Sequence, residues 1–497
     1  MSEIITGEHI LLVGSLMLIF SIFVGRAGNR FGLPSLLLFI AAGMFMGCDG
    51  LGIRFDNHDA TQFVGILALS VILFTGGLDT KISSIAPVWK AGVVLATLGV
   101  AFTALFTGVF IYFASRWTGV NFTMPESFLL ASVMSSTDSA SVFALLRSKN
   151  LSLKENLKPL LELESGSNDP MAYMLAMAVI VYMKTGSVSG GALGEFAVQI
   201  AVGVVAGVGV GKLVVMIANR VRLENQSIYS VLVVAFVFFT YSFSDSMGGN
   251  GYLSVYLAGL TIGNSKMIFR HSITHFFEDF AWLWQIVMFV LLGLLVNPHE
   301  LLGVAVLGAS IGVFMIVLGR PLSVVLCVLP FRKFSRNAVK YASWIGLRGA
   351  VPIIFATYLF TEHVERAQTM FNIVFFITIL SLVVQGMTVG SMARYLGVAE
   401  DSADGGNSFG VELPDEIRSA MVEIMVDDGL LDGGDTLSKF PMPPHTLVMM
   451  VRRGNSFFVP RGDTKIMSGD KLLVISDDSD AVASELDGKG IRYYKLS

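Results

Sequence analysis

The sequence predicts a polytopic α-helical membrane protein of about thirteen spans, followed by a small soluble α+β domain. Hydrophobic residues make up 54% of the chain and charged residues only 14%, at a mean hydropathy of +0.69, which is more apolar than a soluble domain. Apolar segments recur along the first four-fifths of the sequence, and the short loops between them alternate between basic and nearly uncharged.

A helix crossing the hydrocarbon core needs roughly 20 mostly apolar residues. Segments of this kind begin near His9, Gly32, Thr61, Trp89, Glu126, Leu160, Gly191, Ser227, Gly251, Asp279, Leu301, Ala338 and Gln368. The first, Ile10 to Val24, lacks a basic flank and a small-residue cleavage site, so it reads as a retained span rather than a removed signal peptide.

Basic residues collect on the cytoplasmic side of short membrane loops. Arg26 and Arg30; Lys81 and Lys90; Arg147, Lys149, Lys154 and Lys158; Arg220 and Arg222; Lys266 and Arg270; Arg332, Lys333, Arg336 and Lys340; and Arg394 all fall on one side. That side carries about 17 basic residues against about four, namely Arg54, Arg116, Lys184 and Arg366. The expectation is a multi-pass protein of the cell (inner) membrane, N-terminus outside and C-terminus cytoplasmic, which requires an odd number of spans.

Residues 1–397 therefore read as the membrane domain, 398–410 ("VAEDSADGGNSFG") as an acidic, Gly/Ser-rich linker, and 411–497 as a cytoplasmic domain. In the last, short β-type runs alternate with the turn signals "RRGN", "PRGD" and "SGD", predicting several short antiparallel strands. The net charge of −4 suggests no nucleic-acid partner. Cys48 and Cys327 lie in different apolar segments without CxxC or Cys/His spacing and read as free, buried thiols.

Charged groups inside a bilayer cost about 2.5 to 3.5 kcal/mol on insertion scales and usually mark an ion or proton path. The candidates are Asp138 in "SSTDSASVFALL", Glu162, Glu164 and Asp169 in "ELESGSNDPMAY", Arg320 in "LGRPLS" and Arg348 in "WIGLRGAVP". Ser165 and Asp169, four apart, share a helical face and would put a hydroxyl and a carboxylate toward one cavity. Carboxylate, hydroxyl and carbonyl oxygens are what hard alkali cations require. Asn168 can both donate and accept, which suits a residue holding broken helices in register.

Each residue also has a plainer reading. Glu164 and Arg348 read first as a structural ion pair, because buried ions demand partners, and second as direct participants. Thr137 and Ser165 read equally as hydroxyls bonding back to their own helix. Glu162 lies near a span end and reads as interfacial. "STDSAS" and "GLRGAVP" place small and helix-breaking residues where a span should be smooth, so both are expected to be discontinuous helices, as in transporters built on inverted repeats.

These three stretches, in this order and spacing, resemble the signature of the NhaP-type branch of the monovalent cation/proton antiporters. The resemblance covers the membrane portion, and the Asn168–Asp169 pair matches its electroneutral members. It implies a homodimer in which a mobile core with inverted repeats and crossed discontinuous helices carries the ion by an elevator-like movement. It implies Asp169 as carrier of cation and proton, Thr137 and Ser165 as further ligands of the transported alkali cation, and Asp138 at the crossing. Asn168 would stabilise that crossing, and Glu164 and Arg348 would form a buried pair. The tail, "FPMPPHTLVMMVRRGNSFFVPRGDTKIMSGDKLLVI", resembles the C-terminal half of regulator of potassium conductance modules, the TrkA-C domains, some of which bind small ligands. The companion Gly-rich nucleotide loop is absent, which leaves a cyclic dinucleotide or no ligand.

The expected activity is electroneutral exchange of one cation for one proton without a cofactor, potassium being favoured over sodium by the analogy of the tail. Sodium/proton exchange, a ligand-gated channel and a membrane sensor are the alternatives. No TVGYG-like filter, GxxxxGK[ST] loop or HExxH motif occurs, so nothing points to a potassium channel, an ATP-driven pump or an intramembrane enzyme.

Overall fold

The computed structural model describes residues 7–29, 34–53, 57–147, 149, 151–186, 192–221, 225–401, 421–426, 436–439, 446–454, 456–476 and 493–495. The chain divides into two compact units, Met1–Glu400 and Asp401–Ser497.

The first unit is helical. It runs α1 (Gly7–Asn29), α2 (Ser35–Met46), α3 (His58–Asp79), α4 (Ile82–Ile85), α5 (Trp89–Val94), α6 (Val100–Trp117), α7 (Met124–Val133) and α8 (Ser139–Arg147). A short strand β1 (Leu151–Leu153) leads into α9 (Leu157–Thr185), α10 (Ala192–Arg220), α11 (Gln226–Ser246), α12 (Gly251–Gly263) and α13 (Arg270–Leu294). The unit closes with α14 (Pro298–Phe314), α15 (Arg320–Val328), α16 (Arg336–Trp344), α17 (Ala350–Thr361), α18 (Ala367–Ser381) and α19 (Met387–Tyr395), and the short strand β2 (Ala399–Asp401) runs over its boundary.

Among the described residues, seven helical stretches are long and apolar enough to cross a membrane, and shorter apolar helices lie at Gly14–Phe23, Ser35–Met46, Gly251–Gly263 and Ala350–Thr361. The expected starts at Gly32 and Gly191, the loop residues Arg30, Arg54 and Arg222, and the expected domain start at residue 411 lie outside the described residues. The span expected from Asp279 begins at Arg270, because two polar turns ("RHSITHFFED") extend the helix ahead of its apolar part. The segment expected to be linker begins as a strand, β2, paired with β1. Cys48 and Cys327 are free thiols, Cys327 buried as expected and Cys48 only partly buried, because it sits in the turn that follows α2.

Local sequence explains several boundaries. Thr123 and Glu126 form a reciprocal capping box at the start of α7, and Asn57, Asn225, Asn250 and Ser335 cap α3, α11, α12 and α16 with their side-chain oxygens. Helices associate in membranes where small residues let backbones approach. The spacing "GLTIG" does this in α12, where a Cβ on Gly259 or Gly263 would overlap the carbonyls of Phe74 and Leu78 on α3. One π-helical turn interrupts each of three long spans: Leu95–Gly99, Met315–Gly319 and Leu382–Gly386. The second precedes Pro321, which has no N–H for the Val317 carbonyl and whose ring would crowd it.

The second unit contains a five-stranded antiparallel sheet in the order β5-β4-β6-β3-β7, from β3 (Met421–Met425), β4 (Thr446–Arg453), β5 (Ser456–Phe458), β6 (Lys471–Ser476) and β7 (Tyr493–Lys495). Its core comprises Val422, Ile424, Val426, Val451, Ile466, Leu472 and Val474. "PRGD" and "SGD" fall between β5 and β6 as expected, whereas "RRGN" begins inside β4 and its Asn455 lies outside the described residues; Gly454 and Gly469 supply positive φ. Asp470, buried in the turn before β6, accepts from Arg453 Nε at 2.9 Å, Arg453 Nη2 at 2.7 Å and the Met467 amide at 2.8 Å. The carboxylate raises the Arg453 pKa.

Candidate functional site

Two broken helices meet in the first unit. Residues 134–138 separate α7 from α8, and 345–349 separate α16 from α17. The Asp138 amide donates to the Leu347 carbonyl at 2.8 Å, joining the two unwound segments. A Cβ on Gly349 would overlap the Asp138 carboxylate, so a side chain there is excluded by the close approach. Asp138 accepts from the Ser141 amide at 3.0 Å and from its hydroxyl, and thereby caps α8 with a negative charge at the positive end of the helix.

Helix α9 lies against this crossing. Ser165 Oγ donates to the Thr137 carbonyl at 2.9 Å and accepts from the Ser139 amide at 3.1 Å. Asn168 Nδ2 donates to Thr137 Oγ1 at 2.5 Å, while its Oδ1 is buried without a partner among the described residues. Pro170 has no N–H to offer the carbonyl four residues earlier, that of Gly166. Asp169, 5% exposed, accepts a hydrogen bond from the Ser136 hydroxyl and has no basic partner among the described residues.

The sequence-predicted ion pair is corrected here. Glu164 pairs with Arg320, not Arg348: Arg320 Nη2 donates to Glu164 Oε2 at 2.8 Å, and Nη1 reaches Oε1. Arg320 follows the π-helical turn of its span and is brought against α9, whereas Arg348 belongs to the unwound segment and donates through Nη1 to the Ser136 carbonyl. The Arg348 amide donates to Ser381 Oγ at 2.9 Å, Ser381 Oγ donates to Gln385 Oε1 at 2.6 Å, and Gln385 Nε2 donates to the Trp344 carbonyl at 2.8 Å. Arg320, Arg348, Ser381 and Gln385 line a cavity of about 10 Å³, room for one water, and Arg320 Nε has no protein partner among the described residues.

The geometry also separates two residues that the helical spacing grouped. Ser165 binds the unwound backbone, and the hydroxyl on Asp169 is that of Ser136, which the sequence reading passed over although it stands beside Thr137 in "SSTDSAS". Glu162 lies 3.7 Å from Lys158 near the start of α9, away from the crossing. Around the crossing, three carboxylates (Asp138, Glu164, Asp169) face two guanidinium groups (Arg320, Arg348), which leaves one negative charge when all are ionised.

Residues 16–395 match the family described as sodium/hydrogen exchanger, transmembrane, and residues 421–486 match the TrkA-C domain. The K(+)/H(+) antiporter NhaP2 of Shewanella sp. (strain MR-4) is 35% identical over 94% of this chain and 81% of its own. The K(+)/H(+) antiporter NhaP of Alkalimonas amylolytica is 34% identical over 95% of this chain and 81% of its own. The sodium proton antiporter MjNhaP1 from Methanocaldococcus jannaschii has a similar fold at a TM-score of 0.68, with 22% identity over 78% of this chain and 99% of its own.

Proposed function

Because the chain belongs to the sodium/hydrogen exchanger family and carries a TrkA-C domain, we propose that it exchanges one potassium ion for one proton across the cell membrane, with Asp169 as the shared carrier. The observation that carries this reading is the solitary Asp169 carboxylate, buried with one neutral hydroxyl and no basic partner among the described residues. An isolated buried charge is strongly disfavoured, so the carboxylate demands neutralisation by a proton or a cation. Both need the same oxygens. Competition for one group makes the two ligands mutually exclusive, and the site is ready to move only when one of them is bound.

The neighbouring oxygens suit an alkali cation. Asn168 Oδ1 lacks a partner among the described residues, the Gly166 carbonyl has lost its helical donor, and Ser136 Oγ already touches the carboxylate. Thr137 keeps lone pairs while accepting from Asn168, and Ser165 anchors the backbone that presents them. Potassium is favoured by the names of the relatives at 34–35% identity. One-for-one exchange moves no net charge, so the membrane potential would not drive it. Movement of the crossing as a body between the two sides, in a homodimer with a cytoplasmic tail that regulates the rate, completes the reading.

The test is proton flux in proteoliposomes given potassium, sodium or lithium in turn, at clamped potentials, with wild type beside Asp169→Asn. Potassium-dependent flux that ignores the potential and vanishes in Asp169→Asn is expected. Flux retained by the variant would remove Asp169 as carrier. Dependence on potential would remove the one-for-one ratio, and a response to sodium alone would reassign the ion.

A further inference from the structure

A cluster of tyrosines lies one turn beyond the carboxylate and takes no part in the chemistry above. Tyr173 is four residues after Asp169 and shares its helical face. Its ring centroid lies 5.4 Å from that of Tyr252 on α12 and 5.3 Å from that of Tyr358 on α17. Tyr241 on α11 lies 5.1 Å from Tyr252, and the Tyr252 and Tyr358 hydroxyls are 3.1 Å apart. Beside them Asn250, 2% exposed, accepts from the Leu253 amide at 2.9 Å and donates through Nδ2 to the Pro170 carbonyl at 3.1 Å, next in sequence to the carrier.

These contacts join two groups of helices. Helices α9 and α17 belong to the crossing, whereas α11 and α12 contribute no residue to it. We propose that Tyr173, Tyr252, Tyr358 and Asn250 form a closed gate on the α9 C-terminal side of Asp169, which separates and re-forms once in each exchange cycle. This rests on the antiport reading above.

The type of contact favours a gate over a fixed seam. The polar links from Tyr252 and Asn250 are neutral hydrogen bonds, each of small net worth, which thermal motion breaks readily. The Glu164–Arg320 ion pair, far costlier to break because rupture strands a buried charge, lies between α9 and α15, within the crossing group, and stays intact when that group moves. Gly166 adds a smooth surface: a Cβ there would overlap the ring of Tyr256 on α12, so glycine lets the two groups lie flush just before the carrier.

The experiment places cysteines at Tyr173 and Tyr252 in a Cys48→Ala/Cys327→Ala background and joins them with a short bifunctional methanethiosulfonate in proteoliposomes. Joining is expected to abolish potassium-dependent proton flux, and reductant to restore it. Full flux from protein whose cross-link is verified by mass would overturn the gate while leaving the antiport reading intact. A wild-type protein without flux would refute the antiport reading and the gate with it.

Asn250→Asp provides a second arm that does not depend on the cysteine variants folding. Because an Asp here would also bury a charge, the arm is read on the neutral Asn250→Ser beside it: the shorter side chain keeps an oxygen that caps α12 and loses the donor to Pro170, so it is expected to alter the exchange rate by about fivefold in protein that remains folded. An unaltered rate would overturn the role of Asn250.

Discussion

Glu164 on α9 and Arg320 at the start of α15 face each other, both almost fully buried and joined through both oxygens of the carboxylate. The geometry is bidentate, the form in which an arginine–carboxylate pair is strongest. It leaves Arg348, the other buried guanidinium, free to hold the Ser136 carbonyl, and through that residue the position of the hydroxyl on Asp169.

Breaking the pair from one side strands a buried charge. Glu164→Gln and Arg320→Gln are each expected to cost about 3–5 kcal/mol, whereas the double variant recovers a large part of that loss. Thermal unfolding of the purified protein, arranged as a double-mutant cycle, measures the coupling. Additive losses would mean that the pair is not a unit.

Ser136→Ala removes the hydroxyl bonded to Asp169. A hydrogen bond to a charged group is worth about 1.5–3 kcal/mol, so the cation concentration for half-maximal flux should rise about tenfold or more. Ser136→Thr, which keeps the hydroxyl, should restore most of the affinity. The readout is cation-dependent proton flux titrated with potassium for all three proteins.

Gly349→Ala tests the crossing itself. Its methyl group would occupy the space of the Asp138 carboxylate, and overpacking of this kind costs about 1–3 kcal/mol or more. Flux should fall together with melting temperature. A fully active, fully stable variant would show that the two unwound segments can part without loss.

Two truncations should behave differently. The Lys154 amide donates to the Val398 carbonyl at 3.0 Å, and Ser152 Oγ to the Glu400 carbonyl at 3.2 Å. Cutting after Gly397 removes both bonds and the buried Val398, whereas cutting after Asp401 keeps them. The longer protein should retain the melting temperature of the membrane unit, and the shorter one should lose it. Regulation by the tail is then read as a changed pH or potassium dependence of flux in the longer protein alone.

In the tail, Arg453 and Asp470 give a pH prediction. The hydrogen bond to Asp470 raises the Arg453 pKa above its ordinary value, so its contribution is complete below the ordinary arginine range and is lost only as pH rises through the raised one. Alkaline assay conditions should leave this link intact. Asp470→Asn should loosen the turn before β6 at any pH, measured as faster hydrogen exchange at the Met467 and Asp470 amides.

The sequence by itself determined the membrane character, the two interrupted spans and the short intramembrane roll of charges, because each follows from local composition. A hydrophobic run, a helix-breaking cluster or a carboxylate among apolar residues carries its meaning without a partner. The antiparallel strands of the tail were legible for the same reason, since turn residues such as Gly454 and Gly469 act where they stand. Tertiary structure alone decided the pairings. Arg320 and Arg348 are indistinguishable by composition, and which one meets Glu164 depends on where the fold places the start of α15 and the unwound segment before α17. Ser136 rather than Ser165 reaches Asp169 because an unwound segment abandons the helical period on which spacing arguments rest. The tyrosine cluster assembles from α9, α11, α12 and α17, segments separated in sequence, so no local pattern announced it.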